Sequence, residues 1–536
     1  MKNYFGVMLD CSRNAVMSVE ALKRFMCDLE RMDYNALLLY TEDTYELPDY
    51  PLFGKFRGRY SQEELKEIDA YAKKHGIELI PCIQTLAHLD KLFAWPGFEK
   101  YRDCLDILLA GDERVYELID GMFAACEECF SSKRVHIGMD EAHFLGLGNY
   151  ALRHGVEDRL TVFGNHLKRV TELAKKHGLQ PMIWSDMAFR LSGGSYEAVT
   201  GREGELEKLF PEELELVYWD YYSDREEEYE VQIRKHEQLH RPLWFAGGAW
   251  KWTGFASGNR ISMKRTAMAF QACKNHGISN IFLTLWGDNG NECPAYAVLP
   301  TLFYASELRK GNDNIEAIEE KFKEVFGEEW DDCMLFDLAM PETNANGKKW
   351  GFEVSKAMLY NDCFLGRFDS FVFGTGEERK EYLHYAERLE RAAGRSKRFK
   401  VYFESYGAFC RLLAEKYDLG YRTRRAYVSH DKKALGQLVG NYEKTANLVG
   451  DFLKAFCKMW NTDNKPQGFE VQEIRLGGLK QRLGCCRERI AGYLAGDVEK
   501  IDELEESAPD YFFGVSEEER NYIINHYCYT VTVNGL

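Results

Sequence analysis

The chain has 536 residues, with 86 acidic against 69 basic side chains and a formal net charge of −17. That length exceeds what one ordinary hydrophobic core organises, so two domains are expected. So acidic a chain is a poor partner for a nucleic-acid backbone or an anionic membrane surface, which points to a neutral ligand or none. The 74 aromatic residues (33 Phe, 31 Tyr, 10 Trp) are enough to fill a core and to line pockets.

The N-terminus, Met1 to Asp10, has one basic residue and an apolar run closed by an aspartate. It lacks the length and the cleavage site of a signal peptide, and no later stretch approaches the ~20 apolar residues of a membrane span. A cytoplasmic location is therefore expected. Fifteen irregularly spaced cysteines fit free thiols in a reducing compartment. The one CxxC, Cys126 to Cys129, lies in a helix-like stretch without a second pair, so neither a metal nor any other cofactor is expected.

From the start to about residue 310, short apolar runs alternate with amphipathic stretches. Tyr4 to Leu9 precedes a helix over Val19 to Met32, and Ala36 to Tyr40 one over Gln62 to Lys74. Glu78 to Ile83 leads to a helix around Arg114 to Phe130, and Val135 to Gly138 to one over Leu160 to His177. Pro181 to Trp184, Leu214 to Trp219, Pro242 to Ala246 and Asn280 to Trp286 complete eight strand–helix units. That pattern predicts an α/β fold, a (β/α)8 TIM barrel over residues 1–315. A doubly wound sheet fits less well, because Leu9-Asp10-Cys11-Ser12-Arg13 stands where its phosphate-binding glycine turn would be. Beyond the barrel, helical patterns over Ile315 to Phe326, Glu377 to Ser396, Phe403 to Tyr417, Lys432 to Trp460 and Phe469 to Leu494 predict an all-α C-terminal domain over 316–536. Irregular segments are expected around Pro341 to Gly351 and Asn461 to Gln467. Its basic runs, Lys397 to Lys400 and Arg422 with Arg424 and Arg425, read as solvated faces.

A barrel of this kind carries its site at the carboxyl ends of the strands. The residues there are Asp10 and Arg13, then Glu42, Asp43 and Glu46, then His88, then Asp140, Glu141 and His143. Trp184 and Asp186, Trp219 with Asp220, Tyr221 and Tyr222, Trp250 with Trp252, and Trp286 with Asp288 and Glu292 follow. With Trp244 inside the seventh run, six of the ten tryptophans fall at or near these ends. Indole beside carboxylate suits a sugar, whose ring face stacks while its hydroxyls bond to Asp, Glu and Arg. At the centre stands Arg134-Val135-His136-Ile137-Gly138-Met139-Asp140-Glu141. Adjacent strand residues point to opposite faces, so Asp140 and Glu141 share a cavity only if the strand ends or bends there. Two carboxylates in one pocket repel, so one of them can keep a proton and act as a general acid.

Val135-His136-Ile137-Gly138-Met139-Asp140-Glu141 resembles the His-x-Gly-x-Asp-Glu signature of glycoside hydrolase family 20, the β-N-acetylhexosaminidases. Leu9 to Arg13 is similar to that family's first-strand Leu-Asp-x-Ser-Arg, Ile83 to His88 to its third-strand segment, and Leu285 to Asp288 to its eighth-strand Trp-x-Glu. The resemblance implies a retaining exo-hydrolase of terminal β-linked GlcNAc or GalNAc, using substrate-assisted catalysis through an oxazolinium intermediate. It implies Glu141 as general acid and base, Asp140 as the group steering the acetamide, and His88, backed by Asp43 or Glu46, as a group setting the charge state of Glu141. It further implies Arg13 on the hydroxyls of the non-reducing end, with Trp184, Trp219 and Trp286 around the acetamido methyl. A tyrosine, Tyr221 ahead of Tyr222, would bond the carbonyl. His136, Trp250, Trp252 and Asp288 complete the expected substrate contacts.

Several positions depart from the family pattern. Phe5 replaces an arginine, Tyr40 to Glu46 replaces a His-x-His with paired aspartates, and the seventh-strand Tyr-x-Asp is missing from Gly247 to Trp252. Asp288 stands for glutamate, and a helical domain accompanies the barrel in place of a preceding α+β domain, as in a cytoplasmic-type branch. Such a chain could use that domain, or the second subunit of a homodimer, to complete the pocket rim. The competing readings are a retaining glycosidase with two enzyme carboxylates acting on non-acetamido sugars, a non-catalytic sugar-binding barrel, and a metal hydrolase using His136, Asp140, Glu141 and His143. The spacing of those four does not match a helical zinc motif.

Overall fold

The computed structural model describes residues 3–193, 196, 203–338, 354–372, 374–516, 526–532 and 534. Eight strands pair in parallel and in chain order: β1 (Phe5–Asp10), β2 (Ala36–Glu42), β3 (Glu78–Ile83), β4 (Arg134–His136), β5 (Gln180–Trp184), β6 (Glu215–Trp219), β7 (Leu243–Gly248) and β8 (Ile281–Leu285). β8 pairs back onto β1, with Phe5 beside Ile281 and Leu9 beside Leu285, closing the barrel. All six residues of β1 and all seven of β2 are buried, as strands covered on both faces require. The (β/α)8 fold expected from the alternating runs is therefore the fold observed.

The barrel helices start where local chemistry allows. α1 (Val19–Arg31) is capped by Ser18, and α2 (Gln62–Lys74) by a capping box in which Ser61 Oγ accepts from Glu64 N while Glu64 Oε2 accepts from Ser61 N. Asp112 and Asp158 cap α3 (Glu113–Cys129) and α4 (Arg159–Lys176). α5 (Asp186–Gly193), α6 (Glu226–Glu237), α7 (Asn259–Asn275) and α8 (Leu299–Arg309) follow the last four strands. Cys126 and Cys129 are buried thiols on α3. No helix among the described residues is long and apolar enough to cross a membrane.

Trp244, counted with the strand-end tryptophans from the sequence, lies at the opposite end of the barrel. It is the second residue of β7, stacks on Tyr4 with ring centroids 5.2 Å apart, and gives its indole N–H to Glu215 at 2.6 Å. Arg134 pairs with the same Glu215 at 3.2 Å. A tryptophan early in a parallel strand packs the floor, because all the strands run the same way.

The chain divides into two compact units, one comprising 1–250, 260–286 and 301–318, the other 251–259, 287–300 and 319–536. The second is built on α9 (Ile315–Phe326, from residue 319), α10 (Glu377–Arg395), α11 (Lys400–Lys416), α12 (Leu419–Val428), α13 (Lys432–Asp463) and α14 (Phe469–Ala495). Its core takes in the two loop segments. Phe255 packs on Phe409, Phe452 and Phe456, its carbonyl accepts from Tyr406 Oη at 2.6 Å, and Asp337 accepts from Ser257 Oγ and Asn259 N. Glu292 is buried between Lys356 (2.7 Å) and Arg475 (3.1 Å). The basic runs are solvated only in part: Lys397, Lys400 and Arg425 are exposed and Arg422 pairs with Asp418 at 2.8 Å, but two members turn inward. Arg424 is buried and donates to the carbonyls of Phe364, Glu503 and Glu506, and the Arg398 guanidinium lies over the rings of Tyr296, Phe326 and Phe399. Guanidinium can satisfy several carbonyls at once, which makes its burial tolerable. The irregular segment expected around Pro341 to Gly351 lies outside the described residues.

Candidate active site

β4 ends at His136, and the chain then turns through residues in the left-handed region: Gly138 (φ 69°), Met139 (φ 70°) and Glu141 (φ 48°). This bend resolves the adjacency problem, because it breaks the two-residue alternation that would have separated the carboxylates. Asp140 is turned inward and is 9% exposed, whereas the Glu141 side chain is 45% exposed. Both face one imidazole nitrogen, His88 Nε2, at 3.1 Å from Asp140 Oδ2 and 3.8 Å from Glu141 Oε2.

Burial by itself would push Asp140 up and His88 down, but their opposite charges reverse both. Asp140 is drawn down to about 2 by His88 and by the Gln84 amide, and His88 is raised to about 10, chiefly by the Asp140 carboxylate. The pair is therefore carboxylate and imidazolium across the neutral range. Asp186, wholly buried beneath them, accepts the Glu141 N–H at 3.4 Å. Burial and the charges of Asp140 and Glu141 push it up to about 7.

His88 does not take its carboxylate from Asp43 or Glu46. Asp43 is bound by Arg57 (2.8 Å) and Glu46 faces Arg59 (3.8 Å). The reason is the turn at Glu42 (φ 45°), which ends β2 and leaves Glu42 as the second-strand carboxylate that acts on His88. Asp106 holds only the His88 backbone N–H, at 2.9 Å. Glu42 is buried against Arg13 (3.3 Å), and burial, partly offset by Arg13 and His88, raises it to about 7. Arg13 also pairs with Asp10 at 3.1 Å and lies over the rings of Tyr40 and Trp286.

An aromatic wall runs away from these charges. Trp184 and Trp286 lie 6.1 Å apart, Trp286 gives its N–H to Tyr221 Oη at 3.0 Å, and Tyr221 stacks on Trp219 at 5.2 Å. Tyr222 is half exposed and meets Trp250 edge-on, and a cleft of about 630 Å³ opens beside Trp219 and Tyr222. His136, expected as a substrate contact, is instead fully buried under Trp184 (4.4 Å), and its Nδ1 accepts from Gly138 N. Burial lowers it to about 3, so it is a neutral prop for the indole and the turn. Trp252 is buried and Asp288 exposed, and both belong to the loop segments of the helical unit. Two residues given no role from the sequence, Gln84 and Tyr40, lie at the heart of the site. Gln84 follows directly on β3, inside the segment Ile83 to His88 that resembles the family's third-strand motif.

Glu42 and Asp186 keep protons in the folded protein that an unfolded carboxyl has lost by about pH 4. Their share of the stability should therefore fall as pH rises from about 4 to 7, at up to about 1.4 kcal/mol per pH unit for each group, while the buried neutral His136, His166 and His236 add stability as pH rises toward the usual imidazole value. Calorimetric melting between pH 5 and 8 checks this as a difference: the advantage of wild type over Glu42→Gln or Asp186→Asn should shrink as pH rises.

Comparison with known proteins gives a consistent result. The family model for the glycosyl hydrolase family 20 catalytic domain matches residues 3–232, and that for the glycoside hydrolase 20C C-terminal domain matches 331–522. Hexosaminidase D of Homo sapiens is 28% identical over 230 residues, 40% of this chain and 45% of that protein. Beta-hexosaminidase 3 of Arabidopsis thaliana is 23% identical over 199 residues, 34% of this chain and 37% of that protein. The chain thus spans less than half the length of these curated relatives. Among solved structures, a GH20 exo beta-N-acetylglucosaminidase from Vibrio harveyi in complex with N-acetylglucosamine is 16% identical with a TM-score of 0.47, covering 61% of this chain and 58% of that one.

Proposed function

Because this chain belongs to glycoside hydrolase family 20, its two domain models together matching most of the sequence, we propose that it removes terminal β-linked N-acetylhexosamines from glycans with retention of configuration. The observation that carries the reading is the division of labour between neighbours. Asp140 is held as a carboxylate at the foot of an aromatic wall, and Glu141 opens outward beside it. A permanent carboxylate suits a group that accepts the acetamido N–H and stabilises a cationic oxazolinium. An exposed one suits a group that trades protons with a departing alcohol and then with water.

In this reading the acetamido oxygen attacks the anomeric carbon while Glu141 protonates the glycosidic oxygen. Water activated by Glu141 then opens the ring. Arg13 binds the hydroxyls of the non-reducing end, Trp184, Trp219 and Trp286 enclose the methyl group, and Tyr221 is the choice for its carbonyl. The imidazolium of His88 sits between the two carboxylates and keeps Asp140 ionised. Ten of the fifteen cysteines are buried thiols, which fits a reducing, cytoplasmic setting. A panel of chromogenic β-glycosides tests the function. Substrates with the 2-acetamido group should turn over at least about 10³-fold faster than those without it, since the nucleophile is then missing. Equal rates would favour a carboxylate nucleophile from the protein.

A further inference from the structure

Between Arg13 and Asp140 runs a chain of buried, hydrogen-bonded side chains in which the orientation of the central amide is forced. Gln84 is 0% exposed. Its Oε1 accepts from the Met139 backbone N–H at 3.2 Å, a group that can only donate, so the amide cannot be flipped. Both hydrogens on Nε2 are then committed, one to Asp140 Oδ1 at 2.8 Å and one to Tyr40 Oη at 2.9 Å. Tyr40 Oη, accepting there, gives its own proton to Glu42 Oε1 at 3.0 Å. That same oxygen lies 3.3 Å from Arg13 Nη2, and Arg13 Nη1 is 3.1 Å from Asp10. Space enforces the arrangement as well: a Cβ at Gly138 would overlap the Gln84 amide.

We propose that Gln84 and Tyr40 are positioning residues, a hydrogen-bond wire that fixes the Asp140 carboxylate and ties its aim to the grip of Arg13 on the sugar. The proposal rests on the reading of Asp140 as the group that meets the acetamido N–H. His88 takes one carboxylate oxygen and Gln84 the other, so the plane of the carboxylate is set from two sides, and without Gln84 only from one. Tyr40 in turn keeps Gln84 from rotating and is itself wedged edge-on against Trp286, at 4.7 Å. Arg13 lies over both of those rings, so a sugar that draws on Arg13 draws on a group joined to Asp140 through three side chains.

The test is a double-mutant cycle on kcat/KM, using an aryl β-glycoside in its acetamido and its trifluoroacetamido form. Gln84→Leu should lower kcat/KM by about 10²-fold and make the loss on fluorination steeper, because a weakened amide then lacks a properly aimed partner. Tyr40→Phe, which removes one oxygen, should cost about 10-fold in the same direction. If the wire is continuous, the double variant should be no worse than Gln84→Leu alone. Additive losses, or a fluorination ratio that stays at the wild-type value, would overturn the proposal, since a merely structural defect lowers both substrates equally. Crystal structures supply a readout that needs no turnover. In Gln84→Leu the Asp140 carboxylate should leave its present position by about 1 Å. An unmoved carboxylate sinks the wire whatever the enzyme cleaves, whereas a wild-type protein inert on the acetamido substrate would count against the function alone.

Discussion

Glu141→Gln should slow hydrolysis of glycosides with poor, basic leaving groups by about 10³-fold, while those with strongly acidic phenols lose about 10-fold or less in the first step. The amide keeps the shape and the backbone turn but has no proton to give, so the cost scales with how much help the leaving oxygen needs. A plot of log kcat/KM against leaving-group pKa should therefore be much steeper for the variant than for wild type. A leaving-group slope identical to wild type would remove Glu141 from its role.

Asp140→Asn should behave in the opposite way. The loss should be about 10³-fold on every leaving group alike, because what disappears is stabilisation of positive charge on the acetamide. It also changes a second residue. His88 owes its raised proton affinity chiefly to Asp140, against a burial that would lower it. In Asp140→Asn the imidazole should therefore titrate well below its wild-type midpoint, and its charge beside Glu141 should be weakened or lost across the working range. Labelled-histidine NMR reads this directly. A His88 midpoint unchanged by the substitution would show that another carboxylate holds it.

The barrel was legible in the sequence because parallel strands buried on both faces leave uninterrupted apolar runs, and β3 and α2 fall on the predicted residues. β4 was read two residues too long, since Ile137 and Gly138 continue the apolar run but already belong to the turn. Periodicity also missed α12, whose sequence LGYRTRRAYV hides its buried face behind arginines that bond to carbonyls. At the site, the paired carboxylates, His88 and the tryptophans could be named because they stand at strand ends. The partner of His88 could not. Which of Glu42, Asp43 and Glu46 looks inward depends on a single left-handed residue, and the answer on the imidazole side was Asp140, a residue already given another task. Gln84 escaped for a related reason: a buried amide has no composition signal, and its value lies in being a donor with no freedom to turn.

The segments 251–259 and 287–300, which continue β7 and β8, belong to the core of the helical unit, so the border between the two units crosses the sequence five times. The helical unit is consequently no appendage that gene fusion could have added or could cleanly remove. Its interior is encoded partly inside the last quarter of the barrel. Exchange of modules between relatives would have to carry the seventh and eighth repeats and everything after them as one inheritance, and selection on the helices is also selection on the two segments that follow the seventh and eighth strands in sequence.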